Sequence, residues 1–195
     1  ALNRLRATNM QRVSGVGDSI AVGMFSTGNF ARMNGEVGQR TSGHLRQVQR
    51  LISTRQINSA NTDSFILYGA GNNFSATEYS PTAVTQAVSD FSQMVDSLNA
   101  VGIQPVLCTM FESISDNPTA NSQLSQDQIN SHTRIVAVRE FNRQIRELAS
   151  QKSVPLIDMH TLSGQNPRYV VHPGMSFYRQ MVSLIQSSLS QESQA

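Results

Sequence analysis

Cysteine is nearly absent: Cys108 stands alone in 195 residues, so no disulfide forms within the chain and a thiolate zinc cluster lacks ligands. The surrounding run Pro105-Val106-Leu107-Cys108-Thr109-Met110-Phe111 reads as a buried strand, which makes the thiol a small core residue. The four histidines, His44, His132, His160 and His172, are scattered without ligand spacing, so no metal is expected. No run of about 18 apolar residues exists, which excludes a transmembrane helix from this sequence. The first twenty residues hold Arg4, Arg6 and Arg12 around no apolar core, unlike a signal peptide. A soluble domain is expected, with an extracellular or virion-associated setting and the oligomeric state left open.

Tryptophan is missing, aromatics are 6% of the chain, and Lys152 is the single lysine. Charge is sparse at 14%, and the net of +2 hides an asymmetry. Residues 1–55 hold eight arginines against Asp18 and Glu36, while the remainder is acidic on balance. Such a basic third suits an anionic polymer or a partner subunit. The arginines are spaced along the sequence without aromatic interleaving, so a solvated surface is the plainer reading and nucleic acid is not expected.

What is present is an alternation of short apolar runs and helical periodicities. Val13-Ser14-Gly15-Val16 reads as a first strand and Asn34-Gly35-Glu36-Val37 as a second. Leu45, Val48, Leu51 and Ile52 mark a helix beginning near Thr41. Phe65-Ile66-Leu67-Tyr68 is a continuous strand buried on both faces, followed by Gly69-Ala70-Gly71. Ser80-Pro81 caps a helix carrying Val84, Val88, Phe91, Val95 and Leu98, which Gly102 stops. Residues 103–111 give a fourth strand, and the polar stretch 112–128 a long covering loop. A helix through Ile135, Val138, Phe141, Ile145 and Leu148, a fifth strand at 154–158 and a last helix from Phe177 to Leu189 complete the set. This pattern predicts one α/β domain over 1–195, a three-layer α/β/α sandwich with a five-stranded parallel sheet, and flexible ends at 1–10 and 190–195. In such sheets the loops after the strands gather at one edge, where ligands bind.

Gly17-Asp18-Ser19-Ile20 directly follows the first strand, which places Ser19 at a helix N-terminus where backbone N–H groups favour developing negative charge. With its companions downstream the chain resembles the SGNH, or GDSL, hydrolase family. The second block resembles Asn34 to Gly38 followed by Thr41, Ser42 and Leu45, the third Gly69-Ala70-Gly71-Asn72-Asn73, and the fourth His172-Pro173-Gly174. The likeness runs over nearly the whole chain, and residues 17–23 and 69–73 also look like those of members encoded by bacteria and their phages.

The resemblance implies a flavodoxin-like SGNH hydrolase fold with no cofactor. It implies Ser19 as nucleophile, His172 as general base, and Gly38 N–H with the Asn72 amide as oxyanion donors, Asn73 being the alternative for the last. The family carries an aspartate three residues before its histidine, whereas this chain has Tyr169 there. The group that orients His172 is therefore expected to be Tyr169, a main-chain carbonyl, or Asp158 at the end of the fifth strand.

The implied activity is serine ester hydrolysis of a small, acetyl-type acyl group. Few aromatics and a polar covering loop speak against a deep lipid pocket and for a carbohydrate or cell-wall polymer, a polysaccharide or peptidoglycan, as substrate. Sugar platforms are few, chiefly Tyr68, Tyr79 and Tyr178. A second reading is a catalytically weak or inactive binding module of a virion or cell-surface assembly, which the missing acid supports. A nucleotide site at Gly15-Val16-Gly17 is disfavoured, because Ile20 stands where the third glycine belongs and Asp18 repels phosphate.

Overall fold

The computed structural model describes residues 9–28, 30–75, 77–164 and 171–192. Five parallel strands, β1 (Val13–Gly17), β2 (Arg32–Gly35), β3 (Ser64–Leu67), β4 (Gln104–Cys108) and β5 (Leu156–Ile157), form one sheet in the order β2-β1-β3-β4-β5. The central runs are buried because both faces are covered: Val16, Phe65, Ile66, Leu67, Val106 and Leu107 are fully enclosed. On one side α1 (Ser19–Thr27) packs against α7 (Met175–Glu192). On the other, α2 (Thr41–Ser53) packs on α3 (Pro81–Ala100), and α3 on α6 (Thr133–Lys152). The α/β architecture is the one anticipated.

The helix starts follow sequence chemistry. Ser80 Oγ accepts the Ala83 N–H beside Pro81 at the first helical position, and α3 ends before Gly102, whose φ of +75° suits a residue without a Cβ. Boundaries moved where pairing, not composition, decides them. β2 lies two residues earlier than expected, because its register with β1 runs from Ser14↔Arg32 to Gly17↔Gly35; Glu36 then begins a turn closed by the Gln39 N–H on its carbonyl at 3.2 Å. β5 shrinks to two residues, since only Leu107↔Leu156 and Cys108↔Ile157 pair and the preceding Pro155 has no N–H to give. The expected loop at 112–128 contains α4 (Pro118–Ser122) and the start of α5 (Gln126–Ser131). Asn117 caps the first through the Ala120 N–H, and a Ser125/Gln128 capping box opens the second.

These ends bring the turns after β1, β3 and β4 to the carboxyl edge of the sheet, where the chemistry-bearing residues meet.

Candidate active site

The position of Ser19, the candidate nucleophile, is built by the β1–α1 junction. Asp18 is the N-cap: its Oδ1 accepts the Ile20 N–H at 3.0 Å and the Ala21 N–H at 3.5 Å, leaving Ser19 as the first helical residue. Burial raises the Asp18 carboxyl above its ordinary value, opposed by those N–H groups and by the charge of Arg134. Gly69, at φ +94°, lies against this carboxylate; a Cβ there would stand 2.5 Å from Asp18 Oδ2. The close approach requires glycine.

Ser19 Oγ lies 2.9 Å from His172 Nε2. The other ring nitrogen, Nδ1, lies 3.0 Å from Asp116 Oδ2, while Asp116 Oδ1 accepts the His172 backbone N–H at 2.9 Å. A carboxylate only accepts, so the network assigns the proton to Nδ1 and turns the Nε2 lone pair toward the serine. The slight burial of Asp116 raises its carboxyl, but the backbone and ring N–H groups of His172 outweigh it and hold the group below the usual carboxylate range.

Asp116 is the carboxylate beside His172 that the sequence did not disclose. The family pattern directed attention to the residues just before His172, whereas the carboxylate comes from 56 positions upstream, on the chain leaving β4. The available signal was the covering loop itself, in which Glu112, Asp116 and Asp127 are the acidic residues. Asp158 is occupied elsewhere: its Oδ1 accepts Thr109 Oγ1 at 2.6 Å and Arg146 Nη2 at 3.0 Å. It follows the edge strand β5, which β3 and β4 separate from β1, and its partners lie there and not at His172. Tyr169 lies outside the described residues, as do most of the expected flexible ends.

The segment carrying Asp116 is pinned at successive points. Met110 exchanges two hydrogen bonds with the buried Asn142 side chain, and the Glu112 N–H donates to Ser163 Oγ at 2.7 Å. The Glu112 carboxylate takes a two-pronged contact from Arg139 at 3.0 and 2.9 Å and meets His160 Nε2 at 2.5 Å. Partial burial raises this carboxyl; the His160 and Arg139 hydrogen bonds overcome that and bring it down to about 2. Arg134 Nε donates to the Ser113 carbonyl at 3.0 Å, and Asn121 clasps Ser115 through two bonds of 2.9 Å.

Among the oxyanion candidates, Asn72 lines the same pocket of about 60 Å³ as Ser19, Tyr68, Phe111, Arg134 and His172. Its Nδ2 donates to the Gln39 carbonyl at 3.0 Å, which leaves the second amide hydrogen. Gly38 sits on the turn before Gln39, exposed, at φ +77°, lining an adjoining groove. Asn73 is turned away into structure: Oδ1 accepts the Thr41 N–H at 3.0 Å and Nδ2 donates to Thr41 Oγ1 at 2.8 Å. The remaining histidines have structural partners. His44 is buried between Gln39 and the Gly69 carbonyl, with burial pulling its pKa down to about 4 against the Gly69 carbonyl and Asp90. His132 caps α6 through the Arg134 N–H. Among the described residues no group of three His, Cys, Asp or Glu side chains is arranged to hold a metal ion, and no helix is long and apolar enough to cross a membrane.

No protein-family model and no curated protein matches the chain in sequence. Solved structures do match in shape. A GDSL-like lipase from Bacteroides thetaiotaomicron superposes with a TM-score of 0.71 at 16% identity, covering 94% of this chain and 89% of its own. An acetyl xylan esterase gives 0.68 at 16% identity, with 90% and 98% covered. A lipase/acylhydrolase from Enterococcus faecalis gives 0.66 at 14% identity, with 93% and 96% covered. The identities are low but the coverage is nearly complete on both sides, and the chain has the fold of the GDSL-type lipases, acylhydrolases and esterases.

Proposed function

We propose that the protein is a serine ester hydrolase of the SGNH type that removes a small acyl group, acetyl-like in size, from a carbohydrate or cell-wall polymer. One observation carries this reading: the unbroken chain Ser19 Oγ, His172 Nε2, His172 Nδ1, Asp116 Oδ2, with links of 2.9 and 3.0 Å. It is the arrangement in which an imidazole takes the serine proton while the acid fixes its tautomer and stabilises the imidazolium.

Ser19 Oγ forms a bond to the ester carbonyl carbon as its proton passes to His172 Nε2. The tetrahedral oxyanion draws on the Ser19 N–H at the helix start, on the Asn72 amide, and on the Gly38 N–H once the turn presents it. Collapse breaks the bond to the alcohol oxygen, which takes the proton from His172. Water, deprotonated by the same imidazole, then releases the acid and restores Ser19. The pocket of about 60 Å³ suits an acyl group of a few heavy atoms and not a long chain. The alternative of an inactive binding module rested on a missing acid, and Asp116 removes that ground.

The test is hydrolysis of p-nitrophenyl acetate and butyrate alongside fluorophosphonate labelling. Wild-type protein is expected to turn over acetate faster than butyrate and to be labelled, both lost in Ser19→Ala. Folded wild-type protein that neither labels nor shows a Ser19-dependent rate would return the lead to the binding module.

A further inference from the structure

Beside the nucleophile's pocket runs an open groove of about 600 Å³ formed by the turn Glu36, Gly38, Gln39 and Arg40 and by the outer face of α2. Arg46 and Arg50 project one helical turn apart, about 6 Å along the axis. Arg40, Arg46 and Arg50 are all exposed. Several other arginines are neutralised: Arg12 holds Asp63, Arg139 holds Glu112, Arg143 holds Glu140 and Glu147, and Arg146 holds Asp158. Arg40, Arg46 and Arg50 make no ion pair among the described residues, and the groove's single carboxylate, Glu36, accepts from Gln39 Nε2 at 3.1 Å. Three of the eight arginines of residues 1–55 thus stand here as uncompensated charge.

The groove also adjoins the site through one hydrogen bond. Gln39 belongs to its wall, and the Gln39 carbonyl accepts the Asn72 amide that lines the pocket of Ser19. A polymer lying in the groove would thus run beside the wall that Gln39 shares with Asn72.

We propose that this groove binds an acidic polysaccharide, a chain bearing carboxylates at intervals, and presents its acyl esters to Ser19. The claim about esters rests on the hydrolase reading above; the claim about binding does not. Guanidinium groups match carboxylates in two-pronged geometry. Lining side chains include no aromatic on which bases could stack, which disfavours single-stranded nucleic acid, and the exposed Val37 on the same turn is a lone apolar side chain and not the apolar face that a lipid surface takes.

The test is affinity electrophoresis of the whole chain through gels containing polygalacturonate, with dextran as the neutral control. Ser19→Ala protein is run beside wild type so that binding is read without turnover. Both are expected to be retarded by polygalacturonate and not by dextran, with retardation fading toward about 1 M salt, where the screening length is ~3 Å. The double variant Arg46→Gln/Arg50→Gln should bind about three- to thirtyfold more weakly, as two exposed charge contacts allow. Arg143→Gln, on another helix, should bind like wild type. Absence of retardation, retardation unchanged in the double variant with its melting temperature preserved, or tighter binding to a single-stranded oligonucleotide or to anionic phosphatidylglycerol vesicles would each overturn the proposal. A protein that binds but does not hydrolyse loses the esterase reading alone, and one that hydrolyses but does not bind loses the groove alone.

Discussion

The two halves of the candidate site are built differently. Ser19 stands where a buried strand becomes a helix, fixed by a buried N-cap, Asp18, and by the close pass of Gly69. His172 and Asp116 stand on exposed segments, with side chains 50% and 57% accessible, and meet across 56 residues of sequence. The first half is held by packing and by hydrogen bonds between near neighbours. The second is held by an exposed pair whose own energy is small and whose geometry depends on the clamps further back. Placement of Ser19 is therefore a property of the fold, whereas placement of His172 and Asp116 depends on two loops, of which the one bearing Asp116 is clamped from behind.

The strongest way to break the site is through either half directly. Ser19→Ala should lower kcat for p-nitrophenyl acetate by about 10⁴- to 10⁶-fold with the melting temperature little changed, since the serine acts as one unit with its partners. Asp116→Asn should cost about 10³- to 10⁴-fold, because the amide favours the wrong tautomer of His172 while keeping the shape. Asp158→Asn is the matched control, expected to leave kcat within about threefold, as Asp158 bonds Thr109 and Arg146 and not the imidazole. Equal losses in the two asparagine variants, by steady-state kinetics, would remove Asp116 from the role.

The difference between the halves also explains what the sequence disclosed. Gly17-Asp18-Ser19 could be placed because a strand, a cap and a helix start are consecutive in the chain. The histidine could be placed because Pro173 and the last helix follow it at once. Asp116 could not, since its partner is chosen by the path of the chain after β4 and nothing within a few residues of it signals an acid. The choice between Asn72 and Asn73 was illegible for a related reason: the residue that separates them is Thr41, whose backbone and hydroxyl take up both ends of Asn73. Strand interiors were read from apolar runs, while the ends of β2 and β5 were set by register with β1 and β4.

Acid titration separates the halves by stability. His44 supports the nucleophile's side, donating to the Gly69 carbonyl beside Asp18, and its pKa falls from 6.5 to about 4 in the folded chain. The unfolded chain takes up a proton below about pH 6.5 that the native one refuses, so stability should fall as pH drops from 6.5 to 4, by up to about 3 kcal/mol. Denaturant unfolding at several pH values should show this slope, and His44→Gln should flatten it. A variant that keeps the wild-type slope would place the titrating group elsewhere.

Glu112 gives a smaller effect of the same sign at lower pH, on the loop that bears Asp116. Its carboxyl is lowered from 4.5 to about 2, so its stabilisation is complete above pH 4.5 and is lost as pH falls from 4.5 toward 2. With solvent screening the contribution is about 1–2 kcal/mol. Glu112→Gln should remove that acid-limb loss while leaving the 6.5-to-4 slope of His44 intact, because Glu112 contacts Arg139 and His160 and not the β1–α1 junction. It should also lower kcat by about two- to tenfold through loosened placement of Asp116, with fluorophosphonate labelling slowed in proportion. Should Glu112→Gln erase the His44 slope as well, the two halves would be one cooperative unit, and the contrast between a fold-held nucleophile and a loop-held base would fail.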